Sequence, residues 1–187
     1  MQGNPTPRIY FISSLLYMDK LLSLVINVGK LKKIKRRGWI RAGIEEAESV
    51  ADHSYRTAFM AMLIGDKLKL NVEKMIKMAL LHDIAECITG DITPYEMERE
   101  RKMEVEKEAM KELIGDMNDY YEIWKEFMLR ESKEAKIIYE IDKMEMILQA
   151  KEYEKDYCKE KLKEFWEEER NIKHPFLISL IEEIKKI

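Results

Sequence analysis

Glycine and proline are scarce in this chain, at seven and four of 187 residues, which removes most of the punctuation that turn-rich folds need. Strand signals of period two are nearly absent too, which argues against sandwiches and barrels. Cysteine is limited to Cys87 and Cys158, without Cys-x-x-Cys spacing, so no disulfide framework is expected. Charge of one sign is also lacking: 33 basic residues face 36 acidic ones, and no global field favours nucleic acid or an anionic membrane. No apolar run reaches transmembrane length, because Asp19 and Lys20 interrupt the greasiest stretch, 10–28. Residues 1–8 contain Gly3, Pro5 and Pro7 and lack the apolar core of a signal peptide. These absences lead to the expectation of a cytoplasmic protein with no membrane or nucleic-acid partner.

What remains reads almost everywhere at helical period. A first helix is predicted over about 7–30, with Phe11, Leu15, Leu22, Val25 and Ile26 among its apolar positions. A basic segment, 30–41, leads into a polar connection containing Glu45, Glu46 and Glu48. Ser49 is a good N-cap for a helix through His53 to about Leu68, and Asn71 for the next, which leads to His82 and Asp83. Thr93-Pro94 reads as a cap followed by proline at the first helical position, starting a helix to about Ile114 that Gly115 stops. Ser132 opens a helix carrying Asp142 to about Tyr153, and shorter helices near Trp124, Phe165 and Leu180 complete an all-α, single-domain chain.

Inside this apolar helical pattern, Leu80-Leu81-His82-Asp83-Ile84-Ala85-Glu86 sets an imidazole beside a carboxylate. Buried charges are costly unless paired or bound to a metal. His53 and Asp142 have the same character, Asp142 lying one turn from both Ile138 and Met146. Three of them have an ordinary alternative: a core histidine bonded to a carbonyl for His82, a helix-end carboxylate for Asp83, an internal salt bridge with Lys143 or a neighbouring helix for Asp142. One shared divalent cation accounts for all of them together, with one or two positions left open for water and substrate. Mixed nitrogen and oxygen ligands suit Mn, Co, Fe, Ni, Zn and, less well, Mg.

The segments Glu48-Ser49-Val50-Ala51-Asp52-His53, Leu81-His82-Asp83-Ile84-Ala85-Glu86, Gly90-Asp91-Ile92-Thr93-Pro94 and Ile141-Asp142-Lys143-Met144-Glu145 resemble those of HD-domain phosphohydrolases, in the branch that acts as 5′-deoxynucleotidases. The resemblance spans about 39–153. It implies a helical bundle, His53, His82, Asp83 and Asp142 as metal ligands, and deoxyribonucleoside 5′-monophosphates as substrates. It further implies that Glu86 and Asp91 assist catalysis and hold the substrate. An alkoxide leaving group needs a proton, so a general acid belongs near the metal, and Glu86 is the first candidate. Their ordinary alternatives are a solvated helix end for Glu86 and a turn residue for Asp91.

Trp39 matches the tryptophan of an Arg-Trp pair that contacts phosphate and sugar in the related nucleotidases. Gly38 stands where the arginine would be, leaving Arg37 or Arg41 as substitutes. The charged stretch 96–112 reads as an exposed helix face, His174 as a surface or cap residue, and Cys87 as a small buried thiol. Dimers are common among such relatives, and the apolar first helix offers an interface, so a homodimer is expected. Other HD phosphohydrolase activities, or a non-catalytic helical module stabilised by its metal, are the competing readings.

Overall fold

Three polar residues marked as helix caps by the sequence do cap helices in the computed structural model. It describes residues 7–115 and 117–187, with side chains from Tyr17 onward. Residues 1–6 and the side chains of Phe11 and Leu15, which enter the expectations above, lie outside that set. Ser49 Oγ accepts from Asp52 N while Asp52 Oδ2 accepts from Ser49 N, a reciprocal box that starts α3 (Val50–Leu68). Asn71 accepts from Lys74 N to begin α4 (Val72–Leu81), and Ser132 accepts from Ala135 N to begin α8 (Lys133–Tyr153). Each cap is worth about 1 kcal/mol against alanine.

The other helices are α1 (Pro7–Val28), α2 (Arg37–Arg41), α5 (Glu86–Thr89), α6 (Arg99–Ile114), α7 (Asn118–Leu129), α9 (Lys159–Trp166) and α10 (Pro175–Lys186). Two 3₁₀ turns, Gly29–Lys32 and Glu167–Asn171, complete the described residues, which contain no strand. The all-α reading therefore holds.

Helix α8 is the axis of the fold. Ile137, Ile138, Ile141, Met144, Ile147 and Ala150 bury it on several sides, as an apolar helix enclosed by others must be. Burying each large aliphatic side chain contributes about 1.5–3 kcal/mol. Residues of α3, α4, α7 and α10 pack with α8 in the main core. A second cluster joins Ile84 and Ala85 to Met110, Ile114 and Trp124 of α6 and α7. A third sets Trp39 of α2 against Leu162 and Phe165 of α9 and Ala150 of α8. Because α3 packs directly on α8, His53 and Asp142 face one another across that contact.

Two boundaries differ from expectation. The helix predicted from Pro94 begins at Arg99 instead. Glu96 Oε2 accepts from both N and Oγ1 of Thr93, closing a single turn, after which Glu98 is extended and the chain restarts. Helix α4 stops at Leu81, so His82 and Asp83 lie just past its end. The His82 ring takes the Ala79 carbonyl at 2.6 Å, the acceptor that a continuing helix would offer to the Asp83 amide.

The basic connection also has structure that periodicity does not reveal. Arg36 N donates to Glu48 O, Val50 N donates to Ile34 O, and Lys35 and Ser49 form an antiparallel bridge. This staple lays 34–36 along the start of α3 and delivers Arg36 to the site. Leu22, Val25 and Ile26 of α1 are 60 %, 60 % and 61 % exposed, an apolar face of the kind that marks association surfaces.

Candidate active site

The described donors converge from three places in the chain. His53 Nε2 lies 3.1 Å from Asp142 Oδ1, 3.2 Å from His82 Nε2 and 3.7 Å from Asp83 Oδ2. His82 Nε2 is 3.1 Å from Asp83 Oδ2. Ligand atoms each about 2.1 Å from one ion stand roughly 3.0–3.4 Å apart, so the set fits a single divalent cation with little adjustment. The ligand atoms of His53, His82 and Asp142 all lie within 4.8 Å of one another, and Asp83 joins them from the His82 side. The Ala79 carbonyl can only accept, so a proton sits on His82 Nδ1 and Nε2 is the nitrogen turned into the cluster. The arrangement thus has the orientation, burial and mixed nitrogen–oxygen chemistry of a candidate divalent-metal site.

These residues open onto a cleft of about 610 Å³, ample for a nucleotide-sized ligand. His82, Asp83 and Asp142 line it, and His53 is fully buried beside them. Glu86 lies on the same wall, 1 % exposed, with Oε2 lacking any hydrogen-bond partner. Its other oxygen is 3.7 Å from Lys102 Nζ. Burial above all, and then Asp83 and Asp91, push the Glu86 carboxyl well above its ordinary range. A carboxyl whose hold on its proton is strengthened in this way, beside a candidate metal site, is equipped for acid–base work. Burial acts against the charge of Asp83 too, but His82 and Arg36 hold its pKa below the usual value. Lys143 and His53 do the same for Asp142 against its burial.

The proposed substrate residues are distributed unequally. Trp39 is 1 % exposed, stacked on Phe165 with ring centroids 3.8 Å apart, and its indole N–H donates to Glu48. It borders the cleft as an anchor between α2 and α9. Arg37 turns away: its side chain is 57 % exposed and pairs with Glu96, while its backbone N–H donates to Asp91 Oδ2 at 2.6 Å. Asp91 therefore ties the start of α2 to the cleft and is itself buried, unlike an ordinary turn residue. Arg41 lines the cleft, stacked over Tyr95 and paired with Glu164.

The arginine at the centre is Arg36, which sequence reasoning passes over. Its Nη1 meets Asp83 Oδ2 at 3.1 Å on the cleft wall. Burial opposes its charge, but Asp83 and Asp91 more than offset this and raise its pKa. Gly38 has a packing reason, since a Cβ there would meet the Phe165 ring at 3.3 Å.

The stretch read as an exposed face is corrected in part. Glu106 is buried and Lys102 half-buried, and this i,i+4 pair at 3.3 Å faces the cleft beside Glu86. Lys143, 3.2 Å from Asp142 Oδ2, lines the other side, so the salt bridge weighed as an alternative coexists with the donor cluster. Only the i,i+4 spacing of Lys102 and Glu106 is visible in the sequence, and it looks like any surface pair. His174 occupies the N-cap position of α10 without a side-chain capping bond, with Pro175 at the first helical position, and Cys87 is buried, as expected.

Comparison with known proteins agrees with this geometry. The family model described as HD domain matches residues 28–185. The chain is 39 % identical over 177 residues to 5′-deoxynucleotidase HDDC2 of Danio rerio, covering 90 % of this chain and 88 % of that one. It is 42 % identical over 172 residues to the Xenopus laevis protein of the same name, covering 88 % and 85 %. Among solved structures, a conserved hypothetical protein from Pyrococcus furiosus superposes with a TM-score of 0.79 at 34 % identity, covering 89 % of this chain and 99 % of that one. With a His/Asp cluster at the meeting of α3, α4 and α8 and a family match over most of its length, this chain belongs to the HD domain family.

Proposed function

We propose that the protein is a metal-dependent phosphomonoesterase that hydrolyses deoxyribonucleoside 5′-monophosphates to nucleoside and phosphate. The observation that carries this reading is the His53, His82, Asp83 and Asp142 cluster opening onto a cleft beside Glu86, whose Oε2 has no hydrogen-bond partner. The relatives named 5′-deoxynucleotidase support the substrate class. In this reading the four residues hold one divalent ion, drawn from Mn, Co, Fe, Ni, Zn and Mg. When bound, it supplies charge neutralisation for the phosphate and a lowered pKa for water.

The chain's own groups do the rest. Arg36 stands at the ion site with a fork suited to phosphate oxygens. Glu86 gives its proton to the departing 5′-oxygen and recovers one from water. Asp91 keeps α2, and with it Arg36 and Trp39, against the cleft while facing the substrate. Arg41 contributes to the outer wall.

A cytoplasmic setting fits the free thiols of Cys87 and Cys158, and no described helix is long and apolar enough to cross a membrane. The exposed Leu22, Val25 and Ile26 face fits a homodimer. The reading requires no nucleic-acid or membrane partner.

The test is product analysis over a panel of deoxy- and ribonucleoside 5′-mono- and triphosphates. Orthophosphate release from the monophosphates, faster with deoxyribose, is expected. Pyrophosphate or triphosphate as product, or no release from any monophosphate, would overturn the reading.

A further inference from the structure

Every close contact of His53 Nε2 points into the donor cluster, while Nδ1 points the other way, to Glu145 Oε2. Glu145 is 0 % exposed and does not line the cleft, so it cannot touch a substrate. Its second oxygen accepts from Arg56, Nε and Nη2 each lying 2.7 Å away. Arg56 continues outward to Glu152 Oε2 at 2.7 Å and Gln149 Oε1 at 2.6 Å. The residues alternate between two helices, His53 and Arg56 one turn apart on α3, and Asp142, Glu145, Gln149 and Glu152 on α8. Buried carboxylates remain charged only when so paired. Glu48, also near His53, is committed to the Trp39 indole at 2.9 Å. The Arg56 guanidinium on Glu145 already balances that side, which speaks against a second cation at Glu48, His53 and Glu145.

We propose that Glu145, held in place by Arg56, is the positioning residue that holds a proton on His53 Nδ1 and so makes Nε2 the nitrogen that a metal takes. The proposal rests on the metal reading of His53, His82, Asp83 and Asp142. His82 reaches the same tautomer through a backbone carbonyl, which no substitution removes. For His53 the acceptor is a side chain, and it can be inverted. In Glu145→Gln, Arg56 needs an oxygen acceptor and takes the amide oxygen. The amide NH₂ is then turned toward His53 Nδ1, which must accept, so the one ring proton sits on Nε2 and a cation that displaces it leaves an imidazolate in place of a neutral ring. Removing Arg56 as well frees the amide to turn over, presenting its oxygen to Nδ1–H again.

The experiment is titration of metal-stripped protein with Mn²⁺ or Co²⁺ by calorimetry, for wild type, E145Q and E145Q/R56M, with the ¹⁵N shifts of the His53 ring recorded alongside. E145Q is expected to bind about 10- to 100-fold more weakly. Its Nδ1 should be unprotonated, and the double variant should regain part of the lost affinity and the proton on Nδ1. At saturating metal, E145Q should keep the wild-type KM. Wild-type affinity in E145Q, or no recovery in the double variant, overturns the proposal while leaving the metal site standing. Absence of binding by wild type overturns the site and the proposal together. If E145Q does not fold, E145D draws the carboxylate back by one methylene: weaker binding supports the proposal and unchanged binding overturns it.

Discussion

Replacing Glu86 by glutamine keeps the shape of a side chain that is 1 % exposed but removes its ability to exchange a proton. If Glu86 protonates the leaving oxygen, the loss should equal a typical general acid–base contribution, about 10²- to 10⁴-fold in kcat. At about 1.36 kcal/mol per decade this is about 2.7–5.4 kcal/mol of barrier. Stability should move the other way. Burial, Asp83 and Asp91 raise the Glu86 carboxyl in the folded chain above the ordinary 4.5. Between that ordinary value and the raised one, the folded chain holds a proton that the unfolded chain has released. Wild-type stability attributable to this group therefore falls as pH rises through the window. The amide introduced by E86Q does not titrate, so the stability of this variant relative to wild type should grow from about pH 5 to about pH 8. The assays are steady-state phosphate release and urea unfolding of chelator-treated protein at both pH values, with metal content checked separately. Turnover within tenfold of wild type would refute the catalytic role. A relative stability that falls with pH would refute the electrostatic account of the site.

Three further outcomes follow from named contacts. Asp142→Asn removes a charged donor 3.1 Å from His53 Nε2 and leaves Lys143 without its carboxylate. Manganese at about 100 times its wild-type Kd should then no longer supply the roughly 2.7 kcal/mol of stabilisation expected of wild type, as read by thermal or urea unfolding. Trp39→Ala should cost about 3–5 kcal/mol by emptying a core site against Phe165, and should strand Glu48 as well. A loss below about 1 kcal/mol in urea would contradict the anchor role. Val25→Glu, on the exposed face of α1, should convert a dimer to a monomer in multi-angle light scattering without changing turnover per chain; a wild-type monomer at micromolar concentration would contradict the dimer.

The parts legible in the sequence are those set by local chemistry. Ser49, Asn71 and Ser132 cap helices because their side chains reach amides three residues on, a geometry that spacing alone encodes. His82 and Asp83 stand out because polar groups in an apolar run need a reason. What escapes a reading of the sequence depends on distant packing. Arg36, Arg37 and Arg41 look alike in sequence, and only the staple between Arg36 N and Glu48 O aims the first of them at Asp83. Trp39 lies in the core because Phe165 of α9 folds back onto it, and Gly38 is required by that same ring. Lys102 and Glu106 carry the spacing of a surface pair, but the face of α6 they share is turned toward Glu86. Glu145 sits in a motif segment with no visible role, since its partners His53 and Arg56 lie on another helix.

The central claim is that turnover depends on a cation held by His53, His82, Asp83 and Asp142. The most direct test is metal add-back to EDTA-stripped wild type and Asp142→Asn, following phosphate release from one deoxynucleoside 5′-monophosphate against metal bound per chain. Wild-type activity should rise in proportion to the first bound equivalent, and Asp142→Asn should stay inactive while remaining folded. Full activity in stripped wild type, or equal activity in the variant, would contradict the claim.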